Sequence, residues 1–109
     1  MADQLLKLHA KGITFHGVIA ADDSLALGAL KYAREMKLRI PEDLSLVCFD
    51  APDDGLTYHE YTHIRQAELE IGERAVRMLL DVIRGDREPK YLLVPTELCI
   101  GNSTASPSR

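Results

Sequence analysis

The sequence predicts a small α/β domain built on a mostly parallel sheet flanked by helices. Two observations carry that expectation. In the stretch GVIAADDSLALGALKYAREMKLRIPEDLSLVCFD, from Gly17 to Asp50, two short apolar runs (Val18–Ala21 and Leu44–Phe49) enclose a helical pattern. A helix between two strands carries the chain back across the sheet and makes the strands parallel. Each run also ends on acid, Asp22-Asp23 after the first and Asp50 after the second. Open α/β sheets bind ligands just outside the carboxyl ends of their strands. The candidate site therefore lies on that edge, with a carboxylate from each strand.

The totals fit one domain. The chain has 109 residues, 46% of them hydrophobic, and a net charge of −4, enough for a modest core. Lys and Arg are scattered and the balance is acidic, so this segment is not expected to grip DNA or an anionic membrane itself. No apolar run approaches membrane-spanning length, and no charged-then-apolar leader opens the chain. Cys48 and Cys99 form no CxxC pair and sit in strand-like runs, which predicts two buried free thiols in a reducing cytosol. Trp is absent, and the four Tyr and two Phe offer no base-stacking platform.

In chain order, residues 3–11 read as the last turns of a helix capped by Asp3 and stopped by Gly12. Ile13–Phe15 leads into the first strand. At 100° per residue, the helix from about Asp23 to Lys37 puts Leu25, Ala26, Ala29, Leu30, Tyr32, Ala33 and Met36 on one wide face. Leu27 points the other way, between Lys31 and Arg34. A lone exposed leucine is ordinary; a partner surface is the sharper reading. Arg39–Asp43 is a turn, with Pro41 barring helix continuation. The loop APDDGL follows Asp50, and Tyr58–Arg65 has strand-favouring residues. Ala67–Arg84 is a strong helical pattern with Leu69, Gly72, Val76, Leu79, Leu80 and Ile83 on one face, ended by Gly85. Its Glu70–Arg74 and Glu73–Arg77 pairs are worth about 0.3 kcal/mol each and decide nothing. Tyr91–Ile100 is a last strand in which Pro95 marks an edge or bulge, and Asn102–Arg109 is expected to be a loose polar tail.

Three chemistries can be read from these residues. His59-Glu60-Tyr61-Thr62-His63 matches HExxH, which binds zinc when a helix brings both imidazoles together, about 6 Å apart. A strand instead spreads them to about 13 Å, and no third ligand follows at a recognisable spacing. An acidic pair after one strand and a lone Asp after its neighbour would also suit a Mg²⁺-dependent phosphoacceptor, as in a response-regulator receiver. That arrangement also needs a Thr or Ser and then a Lys at later strand ends, where this chain has Arg65-Gln66. The third reading is a small-molecule cleft. Asp22 and Asp50 accept hydrogen bonds from ligand hydroxyls, and Phe49 offers a ring face. Capping of the following helix is the competing role for Asp22 or Asp23.

The sequence resembles the C-terminal part of the effector domain of LacI/GalR-type transcriptional repressors over nearly its whole length. VIAADDSLALGAL is similar to that family's vFaaNDlmAlGal, RIPEDLSLVCFD to rvPeDvsvvGfD, THIRQ to tTirQ, and LLVPTEL with the later ST to llpteLvvreST. Transport sugar-binding proteins share the fold but usually lack the PED turn. The resemblance implies a partial periplasmic-binding-protein-like fold in which residues 1–109 are a C-terminal fragment of a two-lobed effector-binding and dimerisation domain. Near Thr62–Gln66 the chain would cross to the other lobe, and residues 67–85 would be a helix of that lobe. It implies effector contacts at Asp22, Phe49, Asp50 and Gln66, and a dimer surface at Leu27 and near Tyr58. It further implies a sugar or nucleoside effector, a homodimer, and DNA contact only through a headpiece not in this chain. The protein would be cytoplasmic and non-enzymatic, without cofactor or metal. Four departures stand out: Asp22 replaces Asn, Cys48 replaces Gly, His59-Glu60-Tyr61 replace prolines, and Gly101-Asn102 replace Arg-Glu. With strands of two lobes left without neighbours, exposed edges and apolar faces are expected.

Overall fold

A computed structural model describes residues 1–50 and 60–107. Its elements run α1 (Ala2–Ala10), β1 (Gly17–Ala20), α2 (Asp23–Glu35), β2 (Ser45–Phe49), β3 (Thr62–Arg65), α3 (Glu68–Ile83) and β4 (Glu97–Cys99). Two compact units divide the chain. One comprises residues 1–65 and 98–109, the other residues 66–97.

In the first unit the strands are ordered β1-β2-β3-β4. β1 and β2 are parallel, with Gly17 opposite Ser45 and Ala20 opposite Cys48. β2 and β3 are also parallel, Val47 facing Thr62 and Phe49 facing Ile64. The alternation along β1 and β2 sends Val18, Ala20, Leu46 and Cys48 inward. Ala26, Ala29, Tyr32 and Ala33 of α2 meet them with the face that the 100° periodicity predicts. Small side chains at Ala20, Ala26 and Ala29 let the helix approach the sheet closely, and all three are fully buried. α1 packs on α2 in turn. Gly28 permits that approach, since a Cβ there would lie 2.6 Å from Met1 Cβ. Tyr32 anchors the contact: its ring tilts against Phe15 at 5.5 Å between centroids, and its hydroxyl pairs with His9 Nδ1 at 3.3 Å.

The opposite face of the sheet is open. Ile19 is 73% exposed and Phe49 38%, as expected of a sheet without its second covering layer. Arg39–Asp43 is the predicted turn, clamped by Arg39 Nε donating to Asp43 Oδ2 at 2.9 Å. That guanidinium holds the Asp43 carboxyl down to about 2.

Several elements differ from expectation. α1 is capped by Met1 without a side-chain hydrogen bond. Asp3 sits one residue inside, where its charge suits the helix dipole. Gly12 lies just past the C-cap Lys11 at φ 78°, a conformation glycine adopts without steric cost. β3 begins only at Thr62; Glu60 and Tyr61 precede it outside the ladder, and the loop 51–57 lies outside the described residues, as do Tyr58 and His59. β4 is three residues long rather than ten. Pro95 has no N–H for a ladder, and Tyr91 and Leu93 are 85% and 74% exposed.

From residue 103 to residue 105 the tail is not loose. Ser103 is fully buried. Its hydroxyl donates to Leu46 O at 2.6 Å and accepts from Thr62 N–H at 2.9 Å. Ser103 O in turn accepts from Leu46 N–H at 2.9 Å, and Ala105 N–H reaches Ser45 Oγ at 3.1 Å. The C-terminal segment thus closes the amino ends of β2 and β3.

In the second unit α3 has the predicted amphipathic pattern but buries none of its residues. Leu69, Val76, Leu79 and Ile83 are each more than half exposed. Arg74 pairs with Glu70 at 3.2 Å. Beyond the helix Lys90 bridges Asp81 and Asp86 at 2.9 and 2.8 Å.

Candidate functional site

The register of β1 on β2 brings two of the candidate residues to one edge. Ala20 faces Cys48, so each strand continues by the same two residues to an acid, Asp22 on one and Asp50 on the other. Both carboxylates therefore leave adjoining, like-directed strands at the carboxyl edge of the sheet.

Asp22 is extended, at φ −153°, and its Oδ1 accepts from Leu25 N–H at 2.7 Å. It caps α2. Among the described residues Asp23 accepts from the neighbouring Ser24 N–H at 2.9 Å, so of the two candidates for the cap the first takes it. A carboxylate has about four lone-pair sites, so capping leaves Asp22 able to accept from a ligand as well.

Asp50 has φ 60°. Few residues other than glycine adopt this left-handed conformation, and Asp and Asn do so most readily. The backbone is held there by Asp50 N–H donating to Ile64 O at 3.0 Å, an extension of the β2–β3 ladder. Held conformations of this kind concentrate at ligand sites. Phe49 precedes it, its ring on the open face. Behind Phe49, Cys48 is fully enclosed, and burial pushes its thiol up to about 11. Neither cysteine is in a disulfide, and Cys99, at the end of the short β4, is only half buried rather than buried as expected.

Gln66 is exposed and belongs to the second unit. Leu27 is 41% exposed on the outer flank of α2, and Tyr58 lies outside the described residues. The candidate zinc site is not supported. His63 stands on strand β3, with Nδ1 2.7 Å from Tyr61 O. His59 lies outside the described residues, and among those described no three His, Cys, Asp or Glu cluster to hold a metal. Also among the described residues, no helix is long and apolar enough to cross a membrane. A separate pocket of about 280 Å³, lined by His16, Glu42, Ser45 and Ala105 among others, opens at the amino ends of the strands, the opposite edge from the two acids.

Sequence reasoning missed Ser103. The signal was its place in an otherwise polar tail after an apolar run, which reads equally well as solvent-exposed.

The family model of the periplasmic binding protein-like domain matches residues 2–104. The chain belongs to this family. Its periplasmic-binding-protein-like segment is of the LacI type. The HTH-type transcriptional regulator MalR of Streptomyces coelicolor is 39% identical over 92 residues, which cover 82% of this chain and 26% of that protein. Among solved structures, the lac repressor dimer bound to operator and the anti-inducer ONPF matches with a TM-score of 0.81 and 28% identity, over 95% of this chain and 37% of that one. The complex of the transcriptional regulator CelR with cellobiose matches with a TM-score of 0.79 and 29% identity, over 94% and 32%. The chain thus spans between 26% and 37% of the length of these relatives. Neither the receiver nor the zinc peptidase is supported by these relatives, which are transcriptional regulators.

Proposed function

We propose that these residues are the C-terminal fragment of the two-lobed effector-binding and dimerisation domain of a cytoplasmic transcriptional regulator. Its DNA-binding headpiece lies outside this chain. The observation that carries the reading is the parallel register that delivers Asp22 and Asp50 to one sheet edge in a LacI-type domain. The effector is a small polyhydroxylated molecule, a sugar or a nucleoside. Asp22 and Asp50 accept hydrogen bonds from its hydroxyls, Phe49 covers its apolar ring face, and Gln66 is a further contact. The bound cellobiose of CelR supports the sugar class.

Mechanistically the protein is a switch and not an enzyme. The effector bridges two lobes and favours the arrangement that it binds better. A homodimer, formed through the surfaces that carry Leu27 and Tyr58, converts that shift into a changed presentation of the DNA-binding heads. No bond is made or broken, and no cofactor takes part.

The test is a thermal-stability screen of the full regulator against sugars and nucleosides, paired with operator binding. The expected result is one ligand class that raises the melting temperature and changes DNA affinity in parallel. Stabilisation by no member of either class would overturn the reading.

A further inference from the structure

We propose that Gly101 is a positioning residue for the effector site, acting through the strand that holds Asp50. The role of Asp50 as a ligand contact rests on the function proposed above; the mechanical link does not.

Two departures from the family resemblance meet here: Gly101, and the Glu60-Tyr61 pair just before β3. A Cβ on Gly101 would overlap Glu60 O and stand 2.7 Å from the carbonyl carbon of Tyr61. The obstacle is backbone, so no change of side-chain rotamer relieves it. Because the side chain is absent, the returning chain lies flat on the segment that opens β3. Asn102 N–H donates to Glu60 O at 2.7 Å, and Gly101 N–H donates to Thr62 Oγ1 at 3.0 Å. Thr62 Oγ1 also pairs with Thr104 Oγ1 at 2.9 Å. Within this clasp Tyr61 and Thr62 are buried, at 5% and 3% exposed, whereas Glu60 and Asn102 stand at the surface.

From the clasp the link to the site is short. Two residues beyond Thr62, Ile64 O accepts the Asp50 N–H and holds that residue at φ 60°. A side chain at position 101 must separate Gly101 from Glu60-Tyr61. β3 then shifts against β2, and the bond that aims Asp50 weakens.

The experiment uses the full regulator carrying Gly101→Ala or, as a gentler second variant, Thr62→Val. The latter keeps the shape of the side chain and removes the hydroxyl that holds the clasp. Amide hydrogen exchange is followed without ligand at Asp50 and Asn102, with Leu25, whose amide bonds the Asp22 cap, as internal reference. The expected result is exchange about tenfold faster at Asp50 and Asn102 with Leu25 unchanged, because only the local opening changes. A loss of affinity for the sugars and nucleosides of the screen accompanies it. Should Gly101→Ala fail to fold, Thr62→Val alone decides. Wild-type exchange at Asp50, or equal acceleration at Leu25, overturns the proposal. Faster exchange with unchanged affinity also overturns it as a positioning role. In that case, loss of affinity in Asp50→Asn leaves the proposed function standing, and its persistence there removes both.

Discussion

Replacing Ser103 by alanine should cost far more than removal of a hydroxyl from a polar tail would suggest. Its oxygen is fully buried and serves two backbone groups at once, Leu46 O at 2.6 Å and Thr62 N–H at 2.9 Å. The gap left by one oxygen atom is too small for water, so both groups lose their partner without replacement. Each unsatisfied buried polar group costs about 1–3 kcal/mol, and the pair together about 2–6 kcal/mol. Set against a total stability of about 5–15 kcal/mol for a domain, this is a large fraction. Urea unfolding of the wild-type protein and of Ser103→Ala measures it directly. With a slope of about 1–3 kcal/mol per molar urea, the midpoint should fall by about 0.7 M or more at unchanged slope. A fall of less than about 0.3 M would show that the tail does not close the strand ends as described.

Two further outcomes follow from particular side chains. Asp22→Ala removes the cap on Leu25 N–H and should lower stability by about 1 kcal/mol in chemical denaturation, whereas Asp22→Asn, itself a good cap, should restore nearly all of it; equal losses would assign the effect to charge instead. Cys48 holds its proton to about pH 11 when folded, whereas a thiol in the unfolded chain releases it near 9.0. Over that window the unfolded state binds fewer protons, so stability must fall as pH rises from about 9 to about 11. Cys48→Ala should flatten this part of the stability–pH curve, and superimposable curves would refute the assignment.

How much could be read without coordinates depended on where each residue's energy comes from. β1, α2 and β2 were legible because their apolar period and their burial agree: Ala26, Ala29, Tyr32 and Ala33 are buried in the structure where a 100° helix places them. The paired acids were legible because a helix joining two short strands is the usual connection of a parallel pair, and β1 and β2 are parallel. α3 illustrates the opposite case. Its period is the strongest in the chain, yet none of its residues is buried, because period states which face is apolar and not what covers it. Position 103 was illegible since a hydroxyl is polar both in solvent and when its two bonds are made to buried backbone. Gly101 stands out in the sequence as a departure from the family pattern, but only the approach of Glu60-Tyr61 gives it a physical reason. The choice of Asp22 over Asp23 as cap depended on backbone angles that the two adjacent carboxylates do not reveal.

The central claim is that the acids at the ends of β1 and β2 meet the effector, and titration calorimetry of the Asp50→Asn regulator tests it most directly. Asparagine tolerates φ 60° and keeps the size of the side chain, so the fold should be kept. A hydrogen bond to a charged group is worth about 1.5–3 kcal/mol, which predicts affinity for the stabilising sugar or nucleoside about tenfold or more weaker. Affinity equal to that of the wild-type protein would contradict it.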